Sequence, residues 1–267
     1  MNKPASVAIP DKKYVLFLLS WMCPALLFTL LEILCRTGII GPEIFPAPSK
    51  VVNTAFTLLT QGSLLHDLRV SLTRAAVGWC IGASVGFTLG LAVGFSPIAR
   101  VLFDRTIQMI RAIPFLALLP LVIVWFGVGE TQKIFMVALG VSFPIYINTT
   151  LGIRQIDPKL LELARVQRLR PYEIILRIIL PGALPSILMG VRYSLATAWL
   201  ALVIAETIGA SAGIGFLAVD AREFLQTDVI VLTVLIYAMI GVTADAAARF
   251  LERHMLAWHA NYAGKNR

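Results

Sequence analysis

The side chains of this chain that could carry chemistry are concentrated in one polar segment, residues 154–185. Six basic residues lie within it, and apolar runs stand on both sides. Each run is long enough to cross a bilayer, which takes about 20 residues. A charged segment between two such runs has to lie in the water beside the membrane. Its chemistry is therefore that of a docking surface, with carboxylate and guanidinium groups that can pair with a soluble partner.

Two short helices are predicted within this segment. Asp157 suits the N-cap of a helix that begins at Pro158 and ends near Arg168. Pro171 suits the first turn of a second helix, whose isoleucines share one face while its charged residues share the other. Pro181 and a proline four residues later would end this second helix, which would lie along the membrane surface.

Patterns typical of catalytic and ligand-binding sites are missing from the sequence. No G-x-x-x-x-G-K-[ST] phosphate loop occurs, so the chain cannot hold ATP in the manner of P-loop enzymes. The three cysteines form no C-x-x-C pair and the three histidines do not cluster, so no metal site is expected. No pair of carboxylates lies in the middle of a span, where proton or sodium relays usually place them. The sequence thus predicts no catalytic residue, metal or cofactor in this chain.

Composition predicts a membrane protein. Apolar residues make up 58% of the 267 positions and charged residues 14%, against about 25% charged in soluble domains. The net charge of +8 is compatible with nucleic-acid binding, but basic residues beside apolar spans more often report membrane topology. We therefore expect a lipid bilayer around the chain and no nucleic-acid partner.

The hydropathy pattern predicts an all-α integral membrane protein with six transmembrane helices. The first run could instead be a cleavable signal peptide, but it is long for one, and five further spans follow. After it, a proline-rich break precedes an outer amphipathic helix that Ser49 can cap. The predicted spans are residues 14–34, 75–95, 107–126, 134–153, 187–205 and 229–248.

The second predicted span has a glycine at every fourth position. At 3.6 residues per turn these glycines form one slowly drifting stripe without side chains, along which another helix can approach closely. Glycine is common in membrane helices, but five in register make chance a poor explanation. The pattern therefore predicts tight packing against a neighbouring helix, in the same protomer or in another. The five residues are Gly78, Gly82, Gly86, Gly90 and Gly94.

Two regions are candidates for a transport path or gate. Pro114 and Pro120 interrupt the third span, either as ordinary kinks or as a break whose free carbonyls face protein or a water-filled path. Glu206 ends the fifth span and borders a glycine-rich outer segment that contains Gly213 and Gly215. Its carboxylate either pairs with neighbouring helices or has a gating role.

The distribution of basic residues predicts the orientation. With the N-terminus inside, about fifteen basic residues fall in cytoplasmic segments and about six in outer ones. Both termini are therefore predicted to be cytoplasmic, and segment 154–185 with them. A cytoplasmic partner protein could reach that segment.

Segment 154–185 resembles the Glu-Ala-Ala loop of ABC importer permeases. Glu162 and Ala164 match that motif, and Leu180 and Pro181 match its later Leu-Pro pair. The family has a glycine where this chain has Arg168, so the bend between the two helices must be made by arginine or by nearby prolines.

The wider chain, from about residue 65 to residue 258, resembles the permease domain of type I ABC importers. The stretches that carry the likeness are RAIPFLALLPLVIVWFGVGE, FPIYINTTLGIRQID, ILPGALPSILMGVR and AREFLQTDV. Within that family the chain is most similar to permeases for aliphatic sulfonates, with taurine and nitrate permeases close behind. Residues 1–64 would then be a membrane helix with an outer segment, and residues 259–267 a cytoplasmic tail.

The resemblance implies a homodimeric permease of a bacterial inner membrane. Its partners would be two ATPase subunits, which bind ATP and Mg²⁺, and a periplasmic substrate-binding protein. Segment 154–185 would be the coupling loop that fits a cleft on the ATPase. The residues assigned to this loop by the resemblance are Glu162, Ala164, Arg165, Leu169, Leu180 and Pro181.

Two other classes of function are weighed against this one. An ion-coupled transporter needs carboxylates within the membrane and no ATPase. A membrane-embedded enzyme needs a catalytic cluster, and the sequence has none. A path without fixed charges binds its solute weakly, which suits a permease that receives the solute from a separate capturing protein.

Overall fold

The computed structural model describes the backbone of residues 13–258 and the side chains of residues 21–258. Within this part of the chain the fold is all-α, and no strand occurs. The predicted tail, residues 259–267, lies outside the described residues, as do the basic residues before Lys13. The helices are α1 (Lys13–Arg36), α2 (Pro48–Thr60), α3 (Ser63–Phe95), α4 (Pro97–Ala112), α5 (Phe115–Phe126), α6 (Glu130–Arg154), α7 (Pro158–Val166), α8 (Pro171–Glu206), α9 (Ile214–Glu223) and α10 (Thr227–Met255).

Four helices are long and apolar enough to cross a membrane by themselves: α3, α6, α8 and α10. The bent pair α4 and α5 would form a fifth span. α1 is a helix of 24 residues over the predicted first span, so the count of six remains a prediction. The helices run beyond the predicted spans because hydropathy marks only the lipid-facing stretch, whereas helical hydrogen bonds continue into the flanking polar residues.

The centre of the bundle is α6, which packs between α3 and α8. Val137, Val141 and Ile145 of α6 form a buried cluster with Ala198 and Leu202 of α8. Small residues on α8 allow this close approach, since membrane helices associate through packing of small side chains.

The glycine stripe of α3 faces α6 of the same chain. A β-carbon on Gly82 or Gly86 would collide with the backbone carbonyl of Ala138 or Ser142. A β-carbon on Gly90 would lie 2.7 Å from the Cβ atom of Thr149. The neighbour that the sequence left open is therefore α6 of the same protomer, and the contact is backbone to backbone.

The third predicted span is broken at Pro114 and continuous through Pro120. α4 and α5 meet at an angle of 102°. Ile113 has an extended backbone with ψ of 126°, the conformation that a following proline favours because its ring disfavours the helical one. Pro120 lies inside α5 and does not interrupt it. Of the two interpretations, the break describes Pro114, whereas Pro120 is a proline within a continuous helix.

Two further predictions about helix ends are corrected. Pro181 and Pro185 do not end a separate surface helix, because α8 runs from Pro171 to Glu206 as one element. A π turn at Ile175–Ile179 ends two residues before Pro181, and its shifted hydrogen-bond register lets the helix pass a residue that has no N–H. At α2 the N-cap is Ala47, and Ser49 instead donates a hydrogen bond from its Oγ atom to Glu32.

Candidate functional site

The polar segment begins with α7, which starts at Pro158 as the sequence predicts. The Oδ1 atom of Asp157 accepts a hydrogen bond of 2.9 Å from the backbone N–H of Lys159. This cap satisfies one of the free N–H groups of the first turn. Ala164 is buried against the rest of the protein. The helix is therefore fixed by its cap and by one small buried residue.

Beside the face that carries Ala164, α7 has a row of exposed apolar residues. Leu160, Leu163 and Val166 have exposed fractions of 49%, 54% and 79%. Their spacing of three residues places them side by side along a helix. Sequence reasoning missed Val166 as part of this face, although the spacing was readable. A row of exposed apolar residues on a water-facing loop is typical of a protein interaction surface.

The bend after α7 is made by Arg168 in the left-handed conformation, with φ of 56°. The N–H of Arg168 donates to the carbonyl of Arg165 at 2.9 Å, and the N–H of Leu169 donates to that of Ala164 at 3.1 Å. This pair of bonds is the Schellman ending of a helix, in which the left-handed residue is usually glycine. Arginine thus makes the same bend that glycine makes in the family pattern.

The remaining predicted loop residues do not form one cluster. Glu162 and Arg165 lie in the water, and Leu169 is half-buried beside the bend. Leu180 and Pro181 are half-buried within α8, beyond the π turn. The predicted residues therefore lie in three places: on the exposed charged surface of α7, at the bend, and in the part of α8 that enters the bundle.

At the other end of the bundle, Glu206 is 1% exposed and fully engaged. Its carboxylate pairs with the Nη1 atom of Arg74 at 2.8 Å. It also accepts hydrogen bonds from the Oγ atom of Ser71 at 2.8 Å and from the N–H of Gly215 at 2.9 Å. A buried carboxylate needs this number of partners to offset its desolvation. The geometry corresponds to pairing with neighbouring helices, the first of the two interpretations of Glu206.

The glycine-rich outer segment is held by the same group of side chains. The N–H of Gly213 donates to Asp67 at 2.8 Å, and the N–H of Ile214 donates to Ser71 at 2.9 Å. With the Gly215 bond, three consecutive N–H groups at the start of α9 are satisfied, two of them by carboxylates, which the helix dipole favours there. A β-carbon on Gly213 or Gly215 would come within 2.5 Å of Glu206. Glycine is required because the side chain of Glu206 occupies that space, through its carboxylate at Gly213 and its Cβ atom at Gly215.

Arg74 joins three helices at this point. Its Nε atom donates to Glu130 of α6 at 2.6 Å, and its Nη1 atom donates to both Glu206 and the carbonyl of Ala212. In the sequence, Arg74 is one of the six basic residues of the predicted outer segments. The missed signal is the spacing of Asp67, Ser71 and Arg74, which places three polar residues on one face of α3. We call these residues with Glu130 and Glu206 the outer cluster.

A cavity of about 450 Å³ lies beside the bend between α4 and α5. Its walls come from the bend, from α6 and from α8, and they are mostly apolar. Arg111 also lines the cavity, so the expectation of a path without fixed charges does not describe it. Pro114 lines this cavity, and Pro120 does not appear among its lining residues. A broken helix in a membrane needs protein or water beside its free backbone groups, and this cavity provides such a place.

Comparison with known proteins identifies the family. Residues 82–257 match the family described as "Binding-protein-dependent transport system inner membrane component". The putative aliphatic sulfonates transport permease protein SsuC of Escherichia coli is 49% identical over 256 residues, which is 96% of this chain and 97% of that protein. The protein of the same description in Bacillus subtilis is 40% identical and covers 96% of this chain and 92% of its own length.

Solved structures show the same fold. An amino acid ABC transporter aligns with a TM-score of 0.63 at 20% identity, over 76% of this chain and 97% of that chain. The MetNI methionine ABC transporter in an inward facing conformation aligns with a TM-score of 0.52 at 21% identity, over 67% of this chain and 92% of that chain. The chain therefore belongs to the family of binding-protein-dependent transport system inner membrane components, as a multi-pass permease of the ABC importer type.

Proposed function

We propose that this chain is the permease subunit of an ATP-driven importer for aliphatic sulfonates. The observation that carries the substrate class is 49% identity over 96% of the chain to a permease described as one for aliphatic sulfonates. A taurine transport system permease is 33% identical over 88% of the chain. Taurine is itself a sulfonate, so it is the second candidate substrate and belongs to the same chemical class.

The proposed source of energy is a separate ATPase subunit. The chain has no phosphate loop, and its water-facing segment instead offers an exposed apolar face on α7 beside several cations. Such a face is suited to insertion into a cleft of another protein. We infer that this segment is the coupling loop and that ATP and Mg²⁺ bind to the partner.

Movement of the coupling loop would act directly on the cavity. α7 follows α6 after three residues and precedes α8 after four, and these two helices line the cavity with α5. A pull on α7 by the ATPase would therefore shift α6 and α8 relative to the bend at Pro114. We propose that the bend and its cavity form part of the path in each of two protomers, and that a periplasmic binding protein delivers the solute at the outer end.

The experiment that tests the substrate is growth of a deletion strain. The strain is given a short alkanesulfonate, taurine or sulfate in turn as the only sulfur source, and the intact gene is returned on a plasmid. We expect failure on the alkanesulfonate and normal growth on sulfate, with growth restored by the gene. Failure on taurine alone would move the assignment to taurine, and normal growth on all three would contradict sulfonate import.

A further inference from the structure

The bend of the coupling loop is formed by Arg168, a charged residue in an unfavourable backbone conformation. Arg168 has φ of 56° and is exposed to solvent. This left-handed conformation is unfavourable for any residue with a β-carbon, and glycine would adopt it freely. Within residues 21–258, no hydrogen bond or ion pair of the Arg168 guanidinium offsets that cost. The backbone conformation therefore gives no reason for an arginine at this position, and the side chain has to be considered.

The surroundings of Arg168 are electropositive. Lys159, Arg165 and Arg170 are also exposed on the loop. Among the acids of the loop, Asp157 caps α7, and Glu173 accepts a hydrogen bond from the N–H of Arg170 at 2.9 Å and pairs with Arg177 at 3.7 Å. Glu162 is exposed on α7, so the four exposed cations face one further carboxylate. The loop therefore presents several cations around an apolar face, and a partner of matching charge would be acidic.

We propose that Arg168 binds an acidic side chain of the ATPase, in a cleft that is acidic around the bend and apolar where it meets Leu163 and Val166. This inference rests on the proposed function, which supplies the ATPase. Arginine suits the role because its planar guanidinium can bind a carboxylate through two parallel N–H groups. Arg168 lies at the bend between α7 and α8, and its side chain is exposed there.

The outer end of the protein offers a matched control. Leu225 ends α9 with φ of 54° and is 83% exposed. Its N–H donates to the carbonyl of Arg222, and the N–H of Gln226 donates to that of Ala221, which is the same helix ending as at Arg168. A change of Leu225 to glycine therefore relieves the same strain without removing a charge from the loop.

The test measures binding of the ATPase subunit to the permease in nanodiscs of phosphatidylcholine. The probe is the subunit that co-purifies with the wild-type permease and is identified by its phosphate loop. We expect Arg168→Gly to weaken the Kd about tenfold at about 50 mM salt and Arg168→Glu to weaken it further, with smaller differences at about 500 mM. Arg168→Lys should lie between the wild type and Arg168→Gly. Leu225→Gly should bind like the wild type, and both glycine variants should unfold at or above the wild-type temperature.

Three outcomes would contradict either the role of Arg168 or the proposed function. Equal affinity of the wild type and Arg168→Gly at low salt removes the proposed contact. An effect that appears only in nanodiscs with anionic lipid assigns Arg168 to a lipid headgroup, which also contradicts the proposal. A wild-type permease that binds no ATPase subunit contradicts the proposed function itself, before the role of Arg168 is tested.

Discussion

The outer cluster and the coupling loop lie at opposite ends of the same helices, and their charged residues have opposite environments, buried in the first and exposed in the second. In the outer cluster, Arg74 and Glu206 are buried and bonded to each other, to side chains and to backbone N–H groups. In the coupling loop, cations and apolar residues face water, and Arg168 keeps an unfavourable backbone conformation. The polar groups of the outer cluster are satisfied within this chain. We propose that the coupling loop instead meets another protein.

This difference separates residues that hold the fold from residues that serve a partner. Removing one member of a buried ion pair leaves an uncompensated charge and destabilises a protein by about 3–5 kcal/mol. Changing an exposed side chain away from such features alters stability by about 0.5 kcal/mol or less. Substitutions in the two regions should therefore fall into two groups when stability and transport are measured together.

The largest effect is expected for Glu206→Ala in the outer cluster. The change leaves Arg74 with only Glu130 as a charged partner and frees the N–H of Gly215 inside the protein. We expect a loss of about 3–5 kcal/mol. Thermal unfolding of the purified protein in detergent, with the yield of folded protein, measures it.

The matched control is Glu130→Ala. Glu130 pairs with the same arginine, but its side chain is 60% exposed. Water can therefore replace part of the interaction with Arg74 that the substitution removes. Its variant should be clearly more stable than Glu206→Ala. If both variants unfold at the same temperature, burial does not explain the outer cluster, and the comparison with the coupling loop fails.

The second largest effect is expected along α3, which carries three residues of the outer cluster. Gly86→Leu places a side chain against the backbone of Ser142 and should destabilise by about 1–3 kcal/mol or prevent folding. Gly241→Leu on α10 is the control, because no atom lies within 4 Å of a β-carbon there. That variant should be neutral or slightly more stable, since leucine favours helix over glycine. Similar unfolding temperatures for the two variants would contradict the close packing of α3 on α6.

The smallest effect on stability is expected in the coupling loop. Val166→Ala removes part of an exposed apolar face, so the unfolding free energy should change by about 0.5 kcal/mol or less, while sulfonate uptake falls several-fold. Val52→Ala on α2 is the control, since Val52 is 70% exposed but lies outside the loop. Thermal unfolding of the purified variants measures stability, and uptake in cells, corrected for protein level by immunoblot, measures transport. Equal uptake in the two variants would contradict a docking role for α7.

The local features of this protein could be predicted from the sequence because each depends on neighbours along one helix. Asp157 and Pro158 indicate where α7 begins, and the spacing of the glycines from Gly78 to Gly94 indicates a face for close packing. The Glu-Ala-Ala pattern predicts the coupling loop on the same local basis. Such features repeat with the helical period and need no knowledge of the fold.

Only the tertiary structure decided which distant residues meet. Ser71 and Glu206 are 135 positions apart in the sequence, and their hydrogen bond depends on how α3, α6 and α8 pack. The same packing selected α6 as the partner of the glycine stripe. The helix is broken at Pro114, which follows an extended residue. At Pro181 it continues, because a π turn comes before that proline. Hydropathy reports burial averaged over a span, whereas each of these outcomes depends on contacts between particular atoms of separate helices.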